Sequence, residues 1–391
     1  MTLSGAGPNN GSTSKRMEIH DKPIPRILHV VLSMAVGGAE KLVFDMVRDQ
    51  LFAGNRPVVC CLDQLGELGA TLQQEGFQVY CKGRRSGIDL SVISWLKEIL
   101  VKDRIDVVHA HQYTPLFYTV PAARLAGGVR VVYTEHGRFY PDRKSWKRAL
   151  VNPLLALGVD HLVSIAASTA RAMAEFDHLP LHRIRVIHNG VDLERLNPQF
   201  DRAAKRRELG LGESSPVLGT ASRLNEIKNI PLMLRAFRLV TLEFPAAQLV
   251  IAGDGPETEA LQAMARELDV SDRVLFIGLR FDLPEIYQLF DVFMLTSFTE
   301  GISITLLEAM ASGVPAVVTD VGGNAEVVVQ GETGYRVALE DDEQMAERVL
   351  ELLRSPQQAK SMGLEGKKRV DDEFRFPKML DAYVELYRSA R

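Results

Sequence analysis

The chain has 391 residues, which at about 150 per domain means two or three domains and more than one hydrophobic core. With 46% hydrophobic and 25% charged residues, disorder, collagen and coiled coil are excluded as descriptions of the whole. The net charge of −4 argues against a dedicated nucleic-acid wrapper, although residues 1–195 hold 24 Lys/Arg against 19 Asp/Glu and the remainder 22 against 31. A basic N-terminal half suits anionic ligands or an anionic membrane face; a plain solvated surface suits it equally.

Residues 1–23 are rich in Gly, Ser, Asn and Pro and have no apolar core, so they read as a disordered leader and not as a signal peptide. From Arg26 onward, short apolar runs alternate with helical patterns. Arg26–Leu32 reads as a strand, and Gly37-Gly38 leads into an amphipathic helix, Ala39–Phe52. Further strands are predicted at Pro57–Leu62, Gln78–Lys82, Asp106–His111, Val129–His136, His161–Ile165 and Arg183–Ile187. Helices such as Leu90–Val101 and Thr169–Phe176 separate them. Continuous apolar runs mean strands covered on both faces, as in a parallel sheet with helices outside. Cys60, Cys61 and Cys81 are too few for a disulfide framework and have no metal-binding spacing, which points to a reducing, cytoplasmic compartment. Leu150–Ala167 is the most membrane-like stretch, but Asn152, Pro153, Asp160 and His161 interrupt it, so it does not read as a span.

The pattern pauses over Gly190–Gly212, and a linker is placed at 196–213. A second series follows, with strands at Pro216–Thr220, Gln248–Ala252, Arg273–Ile277, Val292–Leu295 and Ala316–Thr319. The tail carries helical patterns at Glu343–Leu353 and Met379–Ser389. The fold class is therefore α/β, with two doubly wound parallel-sheet domains, 24–195 and 214–375, facing a cleft at their strand ends.

The second domain holds the densest chemistry. After Val292–Leu295 a tight turn, Thr299-Glu300-Gly301, opens a helix near Ser303, whose free amides and positive dipole end can take a phosphate. Glu300 in that turn and Glu308 in the helix suit the hydroxyls of a sugar nucleotide. A purely structural reading makes Glu300 a dipole partner and Glu308 a surface residue. Arg223 and Lys228 on the loop after the first strand of this domain can grip a diphosphate. Gly253-Asp-Gly-Pro-Glu257 lacks the third glycine of a dinucleotide fingerprint. In the first domain, Gly37-Gly38-Ala39-Glu40 opens a second anion-friendly helix start, and His109, His111 and His136 close strands. Arg138 to Arg148 mixes five cations with Phe139, Tyr140 and Trp146, which suits anionic lipid, a mobile loop or a solvated helix start.

The order Arg223…Lys228-Asn229, Gly253-Asp-Gly-Pro-Glu257 and Glu300-x7-Glu308-Ala-Met-Ala-Ser-Gly-x-Pro strongly resembles the retaining family-4 glycosyltransferases of GT-B architecture, from about residue 26 to the C-terminus. The resemblance implies two Rossmann-like domains, an acceptor domain at 24–195 and a nucleotide-sugar donor domain at 214–375. Helix 376–391 would cross back to the first. It implies catalytic roles for Glu300, Arg223, Lys228 and His136. Donor contacts are implied at Glu308, Gly301, Ile302, Ser303, Gly37, Gly38, Gly253 and Gly278, and acceptor-side positions at His111, Glu40 and Arg138. Ile187-His-Asn-Gly-Val-Asp192 resembles the family's hinge element.

The expected reaction moves a sugar from a nucleotide-diphosphate sugar, UDP- or GDP-linked, to a hydroxyl of a glycan or lipid-linked acceptor, with retention. The expected setting is polysaccharide, glycolipid or cell-envelope glycan synthesis. No metal, no cofactor beyond the co-substrate and no nucleic-acid partner are expected. Location is expected in the cytoplasm, in possible peripheral contact with the inner membrane face. A sugar-nucleotide epimerase and a catalytically silent scaffold subunit stay open as alternatives, with a dehydrogenase a distant third.

Overall fold

The computed structural model describes residues 24–49, 54–138, 141–142 and 144–389; the leader read over 1–23 lies outside them, as do Phe139, Tyr140 and Arg143. The described residues form two parallel sheets. The first contains β1 (Ile27–Ser33), β2 (Val58–Gln64), β3 (Gln78–Cys81), β4 (Val107–His111), β5 (Arg130–Glu135), β6 (His161–Ser164) and β7 (Ile184–Val186). The second contains β8 (Val217–Ala221), β9 (Gln248–Ala252), β10 (Val274–Gly278), β11 (Val292–Leu295), β12 (Ala316–Thr319) and β13 (Gly334–Val337). The strand orders are β3-β2-β1-β4-β5-β6-β7 and β10-β9-β8-β11-β12-β13. Each sheet winds from its first strand to one edge, returns to the middle and winds to the other. The direction therefore reverses between β1 and β4, and between β8 and β11. Ligands of open α/β sheets bind beyond the carboxyl ends of the strands at such reversals.

Strands such as β4, β8, β11 and β12 are buried at every position, as their unbroken apolar runs require. Helices Ser91–Lys102 and Tyr113–Ala126 cover one face of the first sheet. On the other, helix Phe376–Arg388 packs Leu380, Tyr383, Val384 and Tyr387 against Ile27, Val107, Val132 and Val163. Thus the last helix, reached from the second sheet, completes the core of the first. The two crossings run side by side: Val191 N donates to Phe374 O at 2.9 Å, and Phe376 N to Val191 O at 3.0 Å.

Two elements differ from expectation. Segment 196–213 carries helix Arg202–Glu208, capped by Asp201, and buries Leu196, Leu209 and Leu211 in the core of the second domain. Its cationic helix has too few apolar residues to show periodicity. Strand β13 was not predicted: four residues beginning with Gly are too short for a pattern.

A carboxylate joins the domains at the hinge. Glu326 accepts from the amides of Ala167 (2.8 Å) and Ser168 (3.0 Å), at the start of first-domain helix Ala167–Asp177, and from His188 Nε2 at 3.2 Å. Burial opposes its ionisation, but the His188 ring and the two amides outweigh it and hold the carboxyl down at about 2. A depressed acid contributes stability above its unfolded value and loses it as pH falls through the folded one. The melting-temperature gap between wild type and Glu326→Gln is therefore expected to be full above about pH 5 and to close toward pH 2. A gap that does not change with pH over that range would contradict the ionised latch.

Candidate active site

The second-domain part of the site is built on the β8/β11 reversal. After β8 the chain turns through Ser222-Arg223-Leu224 into a single 3-10 turn, Glu226–Lys228. After β11 it runs from Thr296 to Ser303, where helix Ile304–Ala311 begins. Thr296 Oγ1 donates to Lys228 O at 3.0 Å and Phe298 N to Ile227 O at 2.8 Å, so the two loops are stitched together. This brings Lys228 Nζ within 2.6 Å of Glu300 Oε1, which also accepts from Ser297 Oγ at 2.5 Å. The pair is mostly buried, so both side chains are held before any ligand arrives.

The amides of Gly301 and Ile302 donate to no partner among the described residues, whereas the Ile302 carbonyl accepts from Asn189 Nδ2 at 3.0 Å. Ser303 Oγ caps the helix through the Leu306 amide at 3.4 Å. Glu308, one turn and more along the helix, receives the Tyr287 hydroxyl at 2.9 Å. Burial pushes its carboxyl up to about 7, against pulls from Tyr287 and from Lys41 of the first domain.

Gly253 sits at φ 126, where a Cβ would collide with the Ser222 carbonyl. Its amide donates to Gly278 O at 2.7 Å, and Leu224 N donates to Asp254 O at 3.0 Å. The Gly253–Glu257 turn thus braces the loop that carries Arg223. Gly278 lies at φ 67 at the end of β10. Arg223 itself is exposed, and its charge reaches Glu40 across the cleft.

The first-domain part lies at the β1/β4 reversal. Helix Gly38–Arg48 starts after Gly37, and a Cβ on Gly38 would lie 3.9 Å from Ile304 Cγ1, so the two helix starts face each other. Burial raises the Glu40 carboxyl above its ordinary value, partly offset by its backbone bond and by Arg223. Glu40 and His111 line one recess with Gln112, a non-glycine residue at φ 72 and ψ 169. That conformation costs of order 1–3 kcal/mol and marks the end of β4 as a constrained position.

Four histidines stand on β1, β4 and the end of β5. The strand register pairs His29 with His109. His29 Nδ1 and His111 Nε2 are 2.9 Å apart, as are His111 Nδ1 and His136 Nε2. His109 bonds Tyr387 at 2.7 Å and Thr134 at 2.8 Å. Burial lowers all four, His136 to about 4 and His29 to about 3, so the chain of rings is neutral near pH 7. Ligand atoms of His29, His109 and His111 lie within 4.8 Å of one another, but a cation there would have to displace these hydrogen bonds. His136 also meets the donor side: a Cβ on Gly301 would lie 2.8 Å from its carbonyl.

The structure therefore brings together Glu300, Lys228, Gly301, Ile302, Ser303, His136, His111, Glu40, Gly37 and Gly38, with Arg223 and Glu308 at the margins of the same cleft. Arg138 is in a different situation from that expected of a free acceptor contact. Its guanidinium is buried against Asp142 and Asp177. Sequence reasoning missed His29, Ser297, Tyr287, Gln112 and Glu326. None carries a spacing signal, and only strand register and loop packing bring them in.

Two facing Rossmann-like domains with a shared terminal helix define the GT-B class. Residues 36–195 match the model described as Glycosyltransferase Family 4, and 201–369 the model described as Glycosyl transferases group 1. The chain belongs to the group 1, family 4 glycosyltransferases. It is 29% identical over 303 residues to the N-acetyl-alpha-D-glucosaminyl L-malate synthase of Bacillus anthracis, covering 76% of this chain and 78% of that one. It is 33% identical over 294 residues to a GDP-mannose-dependent alpha-(1-6)-phosphatidylinositol monomannoside mannosyltransferase of Mycolicibacterium smegmatis, with coverages of 71% and 75%. In fold it is similar to Anabaena HepE in complex with UDP and glucose, with a TM-score of 0.83, 21% identity and coverages of 94% and 100%.

Proposed function

We propose that this glycosyltransferase transfers a sugar from a nucleoside-diphosphate sugar to an acceptor hydroxyl with retention and without a metal ion. The observation that carries the reading is the Lys228–Glu300 pair beside the Gly301–Ser303 helix start, with His136 opposite. Lys228, Arg223 and the amides of Gly301 and Ile302 would take the diphosphate, supplying the positive charge that a cation supplies elsewhere. Glu300 and His136 would hold the donor sugar and Glu308 the ribose hydroxyls. Gly253 and Gly278 shape the walls, and Gly37 and Gly38 let the acceptor domain approach closely. Glu40 and His111 lie where an acceptor hydroxyl would enter. With no carboxylate offered as a nucleophile among the described residues, the hydroxyl would attack on the face the phosphate leaves, passing its proton to that phosphate. Relatives named for GDP-mannose and a phosphatidylinositol mannoside, and for UDP-Gal and a diphosphoundecaprenol-linked sugar, support a GDP- or UDP-sugar donor and a lipid-linked or glycan acceptor.

Thermal melting against a panel of UDP-, GDP- and ADP-sugars, followed by NMR of the product's anomeric centre, tests this reading. One donor should stabilise the protein by mass action, and transfer should keep its configuration and survive EDTA. Isomerised sugar formed from donor alone would instead indicate an epimerase. Because Glu308 titrates at about 7 and ribose hydroxyls favour its ionised form, donor affinity should rise with pH. Linkage puts binding roughly tenfold weaker at about pH 6 than at about pH 8. Isothermal titration at the two pH values checks this, and a flat profile would remove Glu308 from the donor site.

A further inference from the structure

Helix Trp146–Leu157 is built inside out. The side facing the protein carries two polar groups beside the small apolar contacts of Leu155 and Ala156. Asn152 is fully buried, donating to Asp177 O at 2.8 Å and accepting from Tyr113 Oη at 2.6 Å. Arg148 bonds Asp177 Oδ1 at 2.9 Å and lies over the Tyr113 ring. The side facing solvent carries Trp146, Leu150, Leu154 and Leu157, which are 71%, 65%, 70% and 71% exposed. Their spacing of four, four and three residues makes one continuous stripe, about 16 Å long at 1.5 Å per residue. A surface helix ordinarily turns its apolar stripe to the core and its charges to water. Here packing against the protein accounts for Asn152, Arg148, Leu155 and Ala156 and leaves the large apolar stripe uncovered.

From the inverted helix we infer that this stripe is a docking face for an anionic lipid bilayer, on which the helix lies in the plane of the interface. Charge complementarity selects this occupant. Residues 143–159 contain no acidic side chain, and Lys147 is exposed at the start of the stripe beside Lys144, itself exposed though 3.6 Å from Glu175. Lys147 Nζ lies 5.9 Å from the Trp146 ring, a cation beside an interfacial aromatic. The far end is cationic too: Arg124 Nη2 donates to Leu157 O at 2.8 Å, and Arg183 Nη1 to Ala156 O at 3.0 Å. An apolar face bordered by cations binds the headgroup–acyl boundary of anionic membranes. The helix follows β5, the strand that leads into His136 and Arg138 at the cleft. Docking would therefore hold the acceptor side of the cleft near the bilayer. In purpose, though not in geometry, this deepens the reading of a lipid-linked acceptor.

The test is flotation of the full chain with vesicles of phosphatidylcholine, with or without a third of phosphatidylglycerol. Wild type should float with the anionic vesicles, weakly with neutral ones, and less at high salt. The Leu150→Glu/Leu154→Glu variant should bind the anionic vesicles at least tenfold more weakly, with unchanged circular dichroism, melting temperature and response to nucleotide sugars. Equal flotation of the variant, or no flotation of wild type, overturns the inference. So does a wild-type dimer that the variant abolishes in sedimentation velocity, because the stripe would then serve a second copy. Nucleotide-sugar stabilisation is measured without lipid, so failed docking and a failed transferase reading are told apart.

Discussion

Lys228→Ala is expected to lower kcat roughly 100- to 1,000-fold, equivalent to about 3–4 kcal/mol of lost transition-state stabilisation. The ammonium lies at the meeting of two stitched loops, 2.6 Å from Glu300 and beside a helix start with free amides. Charge that develops on a departing diphosphate would be met there by a cation already in place, which costs no reorganisation during the reaction. Glu300→Gln keeps the shape of its partner and removes the charge, and a similar loss is expected. The two effects should not add, because both residues act on one bound donor. Lys228 keeps about a fifth of its surface in water and Ser297 still donates to Glu300, so the free variants should melt within a few degrees of wild type. Initial rates with saturating donor, measured beside thermal melts, separate the two effects. Near-normal transfer by either variant would remove that residue from the reaction.

Much of the fold is legible in the sequence because both sheets are covered on two faces. Buried parallel strands must be continuous apolar runs, and Gln248–Ala252, Val292–Leu295 and Ala316–Thr319 have the bounds their hydropathy predicts. The strand-end motifs are legible for a related reason. Glycines and charged residues directly after an apolar run have few structural uses, and Gly37, Arg223 and Glu300 all follow strands at the reversals. The histidine array is only half legible. A lone His29 within an apolar strand has no periodic signature, and it is pairing of β1 with β4 that sets it beside His109 and His111. Helix Trp146–Leu157 is hard to read for a different reason: Asn152 and Pro153 interrupt its apolar stretch, and the apolar stripe points outward. Arg138 likewise shows its charge in the sequence but not its partner, because Asp177 is 39 residues away and joins it only through tertiary packing.

That partner carries the largest expected stability effect. Asp177 is 1% exposed, and its two oxygens are divided between Arg138 and Arg148 while its carbonyl holds Asn152. Asp177→Ala would leave the Arg138 guanidinium buried with Asp142 as its remaining carboxylate, and Arg148 without an anion. Breaking one side of a buried ion network costs about 3–5 kcal/mol, and the surviving Asp142 bond places this case near the lower end. For a domain of this size that is a fall of roughly 6–12 °C in melting temperature. Asp177→Asn keeps the volume and part of the bonding, so it should fall between the two. Arg138→Met should cost less than Asp177→Ala, because it removes one cation and strands none. Thermal melts of the three variants decide the matter. A shift below about 2 °C for Asp177→Ala, under about 1 kcal/mol, would mean that the arginines find other partners and that the clamp does not hold the docking helix against the domain.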